Sequence, residues 1–260
     1  MISILPAGLV PNVVSEIRKL VTMPHVVLVA SVLLTGALLA SITSATFAGP
    51  VDPAGQPVTG TATLGLYVGL ALLMLAAAAV GAKGGGGEFE YHTMQVSTLL
   101  SVDRDRLAAA KFFVTGCCAL ASAVAVEIVA LVGLFGAGRG KISVTLELVA
   151  VLGGGALATV CWALIGLSTG VLLRSSSRAV ALLLGWIVLA EPILWLLASG
   201  IDLPGVAAVL PLSATVATVA VGSFSDTDIL APPAAAAVVL VLWTAGLSVA
   251  TWRRLRTEEL

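Results

Sequence analysis

The chain has 260 residues, 59% of them hydrophobic and only 10% charged, with a formal net charge of −1 and a mean hydropathy of +1.11. Soluble domains carry roughly 25% charged residues, so an ordinary soluble protein is excluded; the net charge says nothing about nucleic acid, and no nucleic-acid partner is expected. Crossing a bilayer takes about 20 apolar residues per helix, and the apolar runs do not alternate as barrel strands do. The expectation is therefore an all-α integral membrane protein, a single transmembrane domain over 1–260.

Residues 8–24 place Leu9, Val10, Val13, Val14, Ile17, Leu20 and Val21 on one helical face and Asn12, Ser15, Glu16, Arg18, Lys19 and Thr22 on the other. This is an amphipathic helix, too polar to span and suited to the headgroup plane. A first span is expected over 25–48, a Pro/Gly loop over 49–62 and a second span over 63–82. The longest polar interval follows, 83–106, opened by Gly84 to Gly87 as a hinge. The third span is expected over 107–135, the fourth over 148–173 and the fifth over 179–199, the last two joined by a tight turn from Arg174 to Arg178. Residues 200–231 are broken by Pro204, Gly205, Pro211, Gly222 and the pair Asp226 and Asp228, and read as short re-entrant segments, which need protein cover at membrane depth. Pro232 and Pro233 open the sixth span, 232–252, which ends before Arg253, Arg254 and Arg256.

With both termini in the cytoplasm, eleven of the 13 Lys and Arg residues fall on inner segments and only Arg139 and Lys141 outside. The positive-inside rule favours that orientation, and the expected location is a cell membrane, multi-pass. The first apolar run is too long for a cleaved signal and is kept as a span.

Catalytic patterns are missing. The stretch GAGRGKIS, Gly136 to Ser143, fails as a phosphate loop, because Phe135 occupies the first glycine position and Ile142 stands where a magnesium-binding hydroxyl belongs. No HExxH, CxxC or Ser/His/Asp arrangement occurs, and no catalytic or metal site is expected. Cys117, Cys118 and Cys161 lie in apolar runs and read as packing residues. His25 and His92 read as interfacial side chains.

The polar interval carries Glu88, Glu90, Thr93, Arg104 and Arg106, and the first turns of the third span add Lys111. Taken alone, it suits an interfacial helix followed by basic residues that snorkel from the third span, or a generic solvated loop. Thr93 lies five residues after Glu88, Ser101 eight residues further on, Arg104 three beyond that, and Lys111 seven beyond Arg104. That spacing resembles the cytoplasmic segment between the second and third spans of ABC-2 type transporter permeases. Two positions depart: His92 stands where the family has Gly, and Ser101 where it has Pro.

The resemblance implies the transmembrane subunit of an ABC transporter, itself not an enzyme, moving an amphipathic or hydrophobic compound, with export favoured. ATP and magnesium would sit on a separate cytoplasmic ATPase subunit docked on the inner loop. A second permease subunit and membrane lipid would be the other partners. Glu88, Glu90, Thr93, Arg104, Arg106 and Lys111 would then serve coupling or loop structure.

Glu127 and Glu191 fall inside spans, where a charge costs at least ~2.5 kcal/mol on insertion scales. They read either as hydrogen-bonded structural acids or as substrate-path groups. The second reading supports an ion- or proton-coupled carrier as an alternative function. A non-transporting scaffold or sensor subunit is a further alternative.

Overall fold

The computed structural model describes residues 10–22, 24–48, 61–91, 104–138, 144–201, 204–221 and 230–257. Among them every regular element is a helix: α1 (Val10–Thr22), α2 (Pro24–Phe47), α3 (Leu64–Glu90), α4 (Arg104–Ala137), α5 (Leu146–Leu173), α6 (Ser176–Gly185), α7 (Glu191–Gly200), α8 (Pro204–Ala208), α9 (Pro211–Val219) and α10 (Pro233–Thr257). A π-helical turn, Trp186–Ala190, joins α6 to α7 without a break. Six helices are long and apolar enough to cross a membrane: α2, α3, α4, α5, the α6–α7 composite and α10.

The six alternate in direction. Ala45 and Ala48 at the end of α2, Ala62 before α3 and Leu134 near the end of α4 cluster at one end of the bundle. At the other end, Leu107 and Ala108 of α4 meet Val171 of α5 and Leu255 of α10. That second end collects α1, the end of α3, the starts of α4 and α6, and the ends of α5 and α10. It also carries most of the described Lys and Arg residues, and is called the basic end below.

Close approach of α3 and α5 is the central packing feature. A methyl group added at Gly81 would strike the carbonyl oxygen of Ala163, and one at Gly166 would strike that of Ala78. Backbone lies directly on backbone there, so the Gly166–Gly170 spacing serves contact within the chain.

The glycine run departs from its expected role as a hinge. Gly84 to Gly87 lie inside α3, which continues to Glu90. A side chain at Gly85 would meet the carbonyl of Leu167, and one at Gly86 would meet the backbone of Ser175 and Ser176. Glycine costs about 1 kcal/mol per residue in a helix, and here the loss is offset by contact that no larger residue allows. Of the polar interval 83–106, residues 83–90 thus extend α3 and 104–106 begin α4, while 92–103 lie outside the described residues.

The turn between α5 and α6 is as short as the sequence demands. Arg174 takes φ 51°, a left-handed cap conformation usually filled by glycine. Its guanidinium lies 5.8 Å from the Phe89 ring centre. Ser175 then caps α6, its hydroxyl accepting from the Arg178 amide at 3.4 Å.

The π turn has a local cause. Pro192 has no N–H to donate, and its ring crowds the carbonyl four residues back, at Val188. Widening one turn relieves that crowding: the Glu191 amide bonds back to Trp186, five residues earlier.

After α7, the short helices α8 and α9 fall in the stretch expected to be broken. Most of α9 is buried, with Trp162 Nε1 of α5 donating to Thr215 Oγ1 at 2.9 Å. Asp226 and Asp228 lie outside the described residues.

Candidate functional site

The basic end holds a cluster of four charges. α1 buries Val13 against Ala110 and Val114 of α4, and one turn along the same face Glu16 is 8% exposed. Glu16 accepts from Lys19 at 2.7 Å and from Lys111 of α4 at 3.2 Å. Glu88, near the end of α3, lies 2.8 Å from Lys111 and 2.5 Å from Lys19. Two carboxylates thus alternate with two ammonium groups, and their charges cancel. Lys111 is only 3% exposed; a charge at such depth is tolerable only when paired. Burial alone would lower the Lys19 ammonium, but its hydrogen bonds to Glu16 and Glu88 outweigh that and hold it above its ordinary value.

Glu88 and Lys111 were singled out in the sequence; Glu16 and Lys19 were assigned to the solvent face of α1. The signal for Glu16 was available: Val13, Glu16, Ile17 and Leu20 recur at three-four spacing, so Glu16 lies in the apolar stripe.

The other candidates of the polar interval are dispersed. Glu90 reaches the start of α6, accepting from Ser175 Oγ at 2.8 Å, from the Ser177 amide at 3.2 Å, and from Ser176 Oγ. It ties the end of α3 to the first turn of α6. Neighbouring Asp105 binds α10, pairing with the Arg256 guanidinium and accepting from Trp252 Nε1 at 3.0 Å. Arg106 is exposed near the start of α4. Arg104 begins α4, but its side chain, like all of Thr93, lies outside the described residues.

No protein-family model matches this chain, and no curated protein matches it. What the charged groups do must therefore be read from the arrangement itself.

The two carboxylates within spans occupy different surroundings and share no partner. Glu127 of α4 is buried among α3, α4 and α5, beside Gly155 and Leu70, and its Oε1 has no hydrogen-bond partner among the described residues. Glu191 is fully buried and fully engaged. Its Oε1 accepts from the Ser213 amide at 2.7 Å and the Ser213 hydroxyl at 3.3 Å, and its Oε2 from Trp186 Nε1 at 2.8 Å. Trp195 Nε1 donates in turn to Ser213 Oγ at 2.6 Å.

Glu191 acts as a cap supplied from a distance. α9 begins Leu210-Pro211 and has no side-chain cap of its own. The Ser213 amide in its first turn would be orphaned, and the Glu191 carboxylate takes it. Ser213, Trp186 and Trp195 escaped the sequence reading because nothing local announces a cap contributed by a residue 22 positions away.

Glu191→Gln tests this role. With the glutamine oxygen on Ser213, its NH2 must face the Trp186 N–H, donor against donor. The expected loss is about 1–3 kcal/mol, read by denaturant titration in mixed micelles, together with a shifted tryptophan emission. Unaltered stability and emission would mean that the carboxylate is not the cap.

Proposed function

We propose that this chain is the permease subunit of a transporter of the ABC-2 type, driven by ATPase subunits on separate chains. The observation that carries the reading is the Glu88–Lys111 contact of 2.8 Å. These residues are the two ends of the motif-like spacing, 23 positions apart, and they close on one another as a buried pair. Between them lies the connection from α3 to α4. A protein pressing on that connection would act on both helices at once, and through Glu16 and Lys19 on α1 as well.

In this reading the basic end faces the cytoplasm of a bacterial cell and α1 lies at the headgroup level. A second permease subunit, identical or related, completes the pathway, and the cargo is an amphipathic or hydrophobic compound. The sequence has no phosphate-binding loop of its own, which agrees with hydrolysis on a partner. ATP binding there would favour one of two conformations, and only differential affinity for the two can move the bundle.

Co-purification of an ABC-type ATPase from the native membrane is the expected result, with hydrolysis stimulated by this chain in liposomes. Arg104→Glu should abolish that stimulation while insertion continues. Failure of any ATPase to associate, or an exterior location for the basic end in accessibility labelling, would end the proposal.

The unpartnered Oε1 of Glu127 favours a second reading, an ion- or proton-coupled carrier. It expects flux in proteoliposomes without ATP, lost in Glu127→Gln. Flux strictly dependent on ATP and preserved in Glu127→Gln would discard it.

A further inference from the structure

A cavity of about 410 Å³ lies between α1, α2, α3 and α4. Its size is within the ~300–1,000 Å³ typical of ligand sites. Val27 and Leu34 of α2 form one wall, Val80 of α3 and Ala119 and Ser122 of α4 the others, and Val21 of α1 stands at its mouth. Val21 and Val27 are 68% and 57% exposed, so the groove opens to the surroundings of the spanning helices. Neither Glu127 nor Glu191 lines it.

An apolar groove alone would admit any apolar occupant, but two cations stand one helical turn from its lining. Arg18 precedes Val21 by three residues on α1, and Lys83 follows Val80 by three on α3, which places each on the same helical face as a lining residue. Both are exposed, and neither makes an ion pair among the described residues. Lys19 and Lys111 nearby are already matched by Glu16 and Glu88. Among the described residues, the uncompensated charge beside the groove is therefore positive. It sits beside an amphipathic helix and a groove between spans, where a negative headgroup and a hydrocarbon chain meet in one molecule.

We propose that the groove between α1 and α4 binds an anionic phospholipid, its acyl chain along Val27, Val80 and Ser122 and its headgroup against Arg18 and Lys83. The site is independent of the permease reading. Lipid held there would stabilise the seat of α1 against α4, next to the ion cluster.

Native mass spectrometry of the full chain tests this, after exchange into detergent with equal amounts of phosphatidylglycerol and phosphatidylcholine. Phosphatidylglycerol should be retained in preference, by about fivefold for each contributing cation. Arg18→Gln with Lys83→Gln should bring the two lipids to near parity, and Ser122→Phe should reduce retention of both. Should Ser122→Phe melt early, Val27→Trp fills the groove from the opposite wall and serves the same purpose. Parity in the unaltered chain overturns the proposal. So does retained preference in a folded groove-filling variant, since the lipid would then lie elsewhere. A Cys118–Cys118 cross-link formed readily in membranes would also overturn it, because Cys118 lines the groove and a second copy would then be its cover.

Discussion

Lys111→Ala is expected to cost about 3–5 kcal/mol of bundle stability, the range seen when one partner of a buried ion pair is removed. Glu16 and Glu88, at 8% and 9% exposure, would keep Lys19 but lose the buried ammonium that lies between them. One of these carboxylates must then take up a proton or draw water into the contact between α1, α3 and α4. A cycle of Glu88→Gln, Lys111→Met and the two together removes an acid and a base jointly and should recover part of the loss, a coupling on the order of 0.5–3 kcal/mol. Denaturant titration in mixed micelles reads the cycle. Additive losses would show that the two residues do not act as a pair. In a reconstituted complex, the single variant should also uncouple hydrolysis from transport. Were it destabilised yet fully coupled, the cluster would be structural alone.

Gly166→Leu is expected to be the most damaging single substitution in the molecule. Its Cβ would strike the Ala78 carbonyl and backbone. Overpacking ordinarily costs about 1–3 kcal/mol, but that range assumes neighbours that can rotate aside. A peptide carbonyl within a helix cannot, so α3 and α5 must separate along their length. The control lies on the same helix: Gly153 has nothing within 4 Å of an added Cβ, and Gly153→Leu should be nearly neutral. Yield of monodisperse protein and its melting temperature separate the two. Equal behaviour would mean that the contact between the helices is not as close as described.

The sequence made the spanning helices legible because each is a long apolar run bounded by Gly, Pro or charge. The turn at Arg174–Arg178 and the interruption between α7 and α10 were legible for the same local reason. The glycine run was not, because glycine both breaks helices and permits them to touch; only the presence of α5 decides between the two. Glu16 was misassigned because charge was weighed above position, although its spacing from Val13 and Leu20 placed it inward. Of the candidate site, Glu88 and Lys111 were found through a family-like spacing, whereas the two residues that complete the cluster come from α1. The cap that Glu191 gives α9 depends on contacts remote in sequence, which periodicity does not encode.

The α3–α5 seam also governs which parts of the molecule can move. Helices whose backbones touch cannot slide or roll past one another without colliding, so these two behave as a single keel. The spans with the smallest buried share are α2 and the α6–α7 composite, and they flank the keel. Any change of shape between two states must be borne by those flanking pieces while the keel stays fixed.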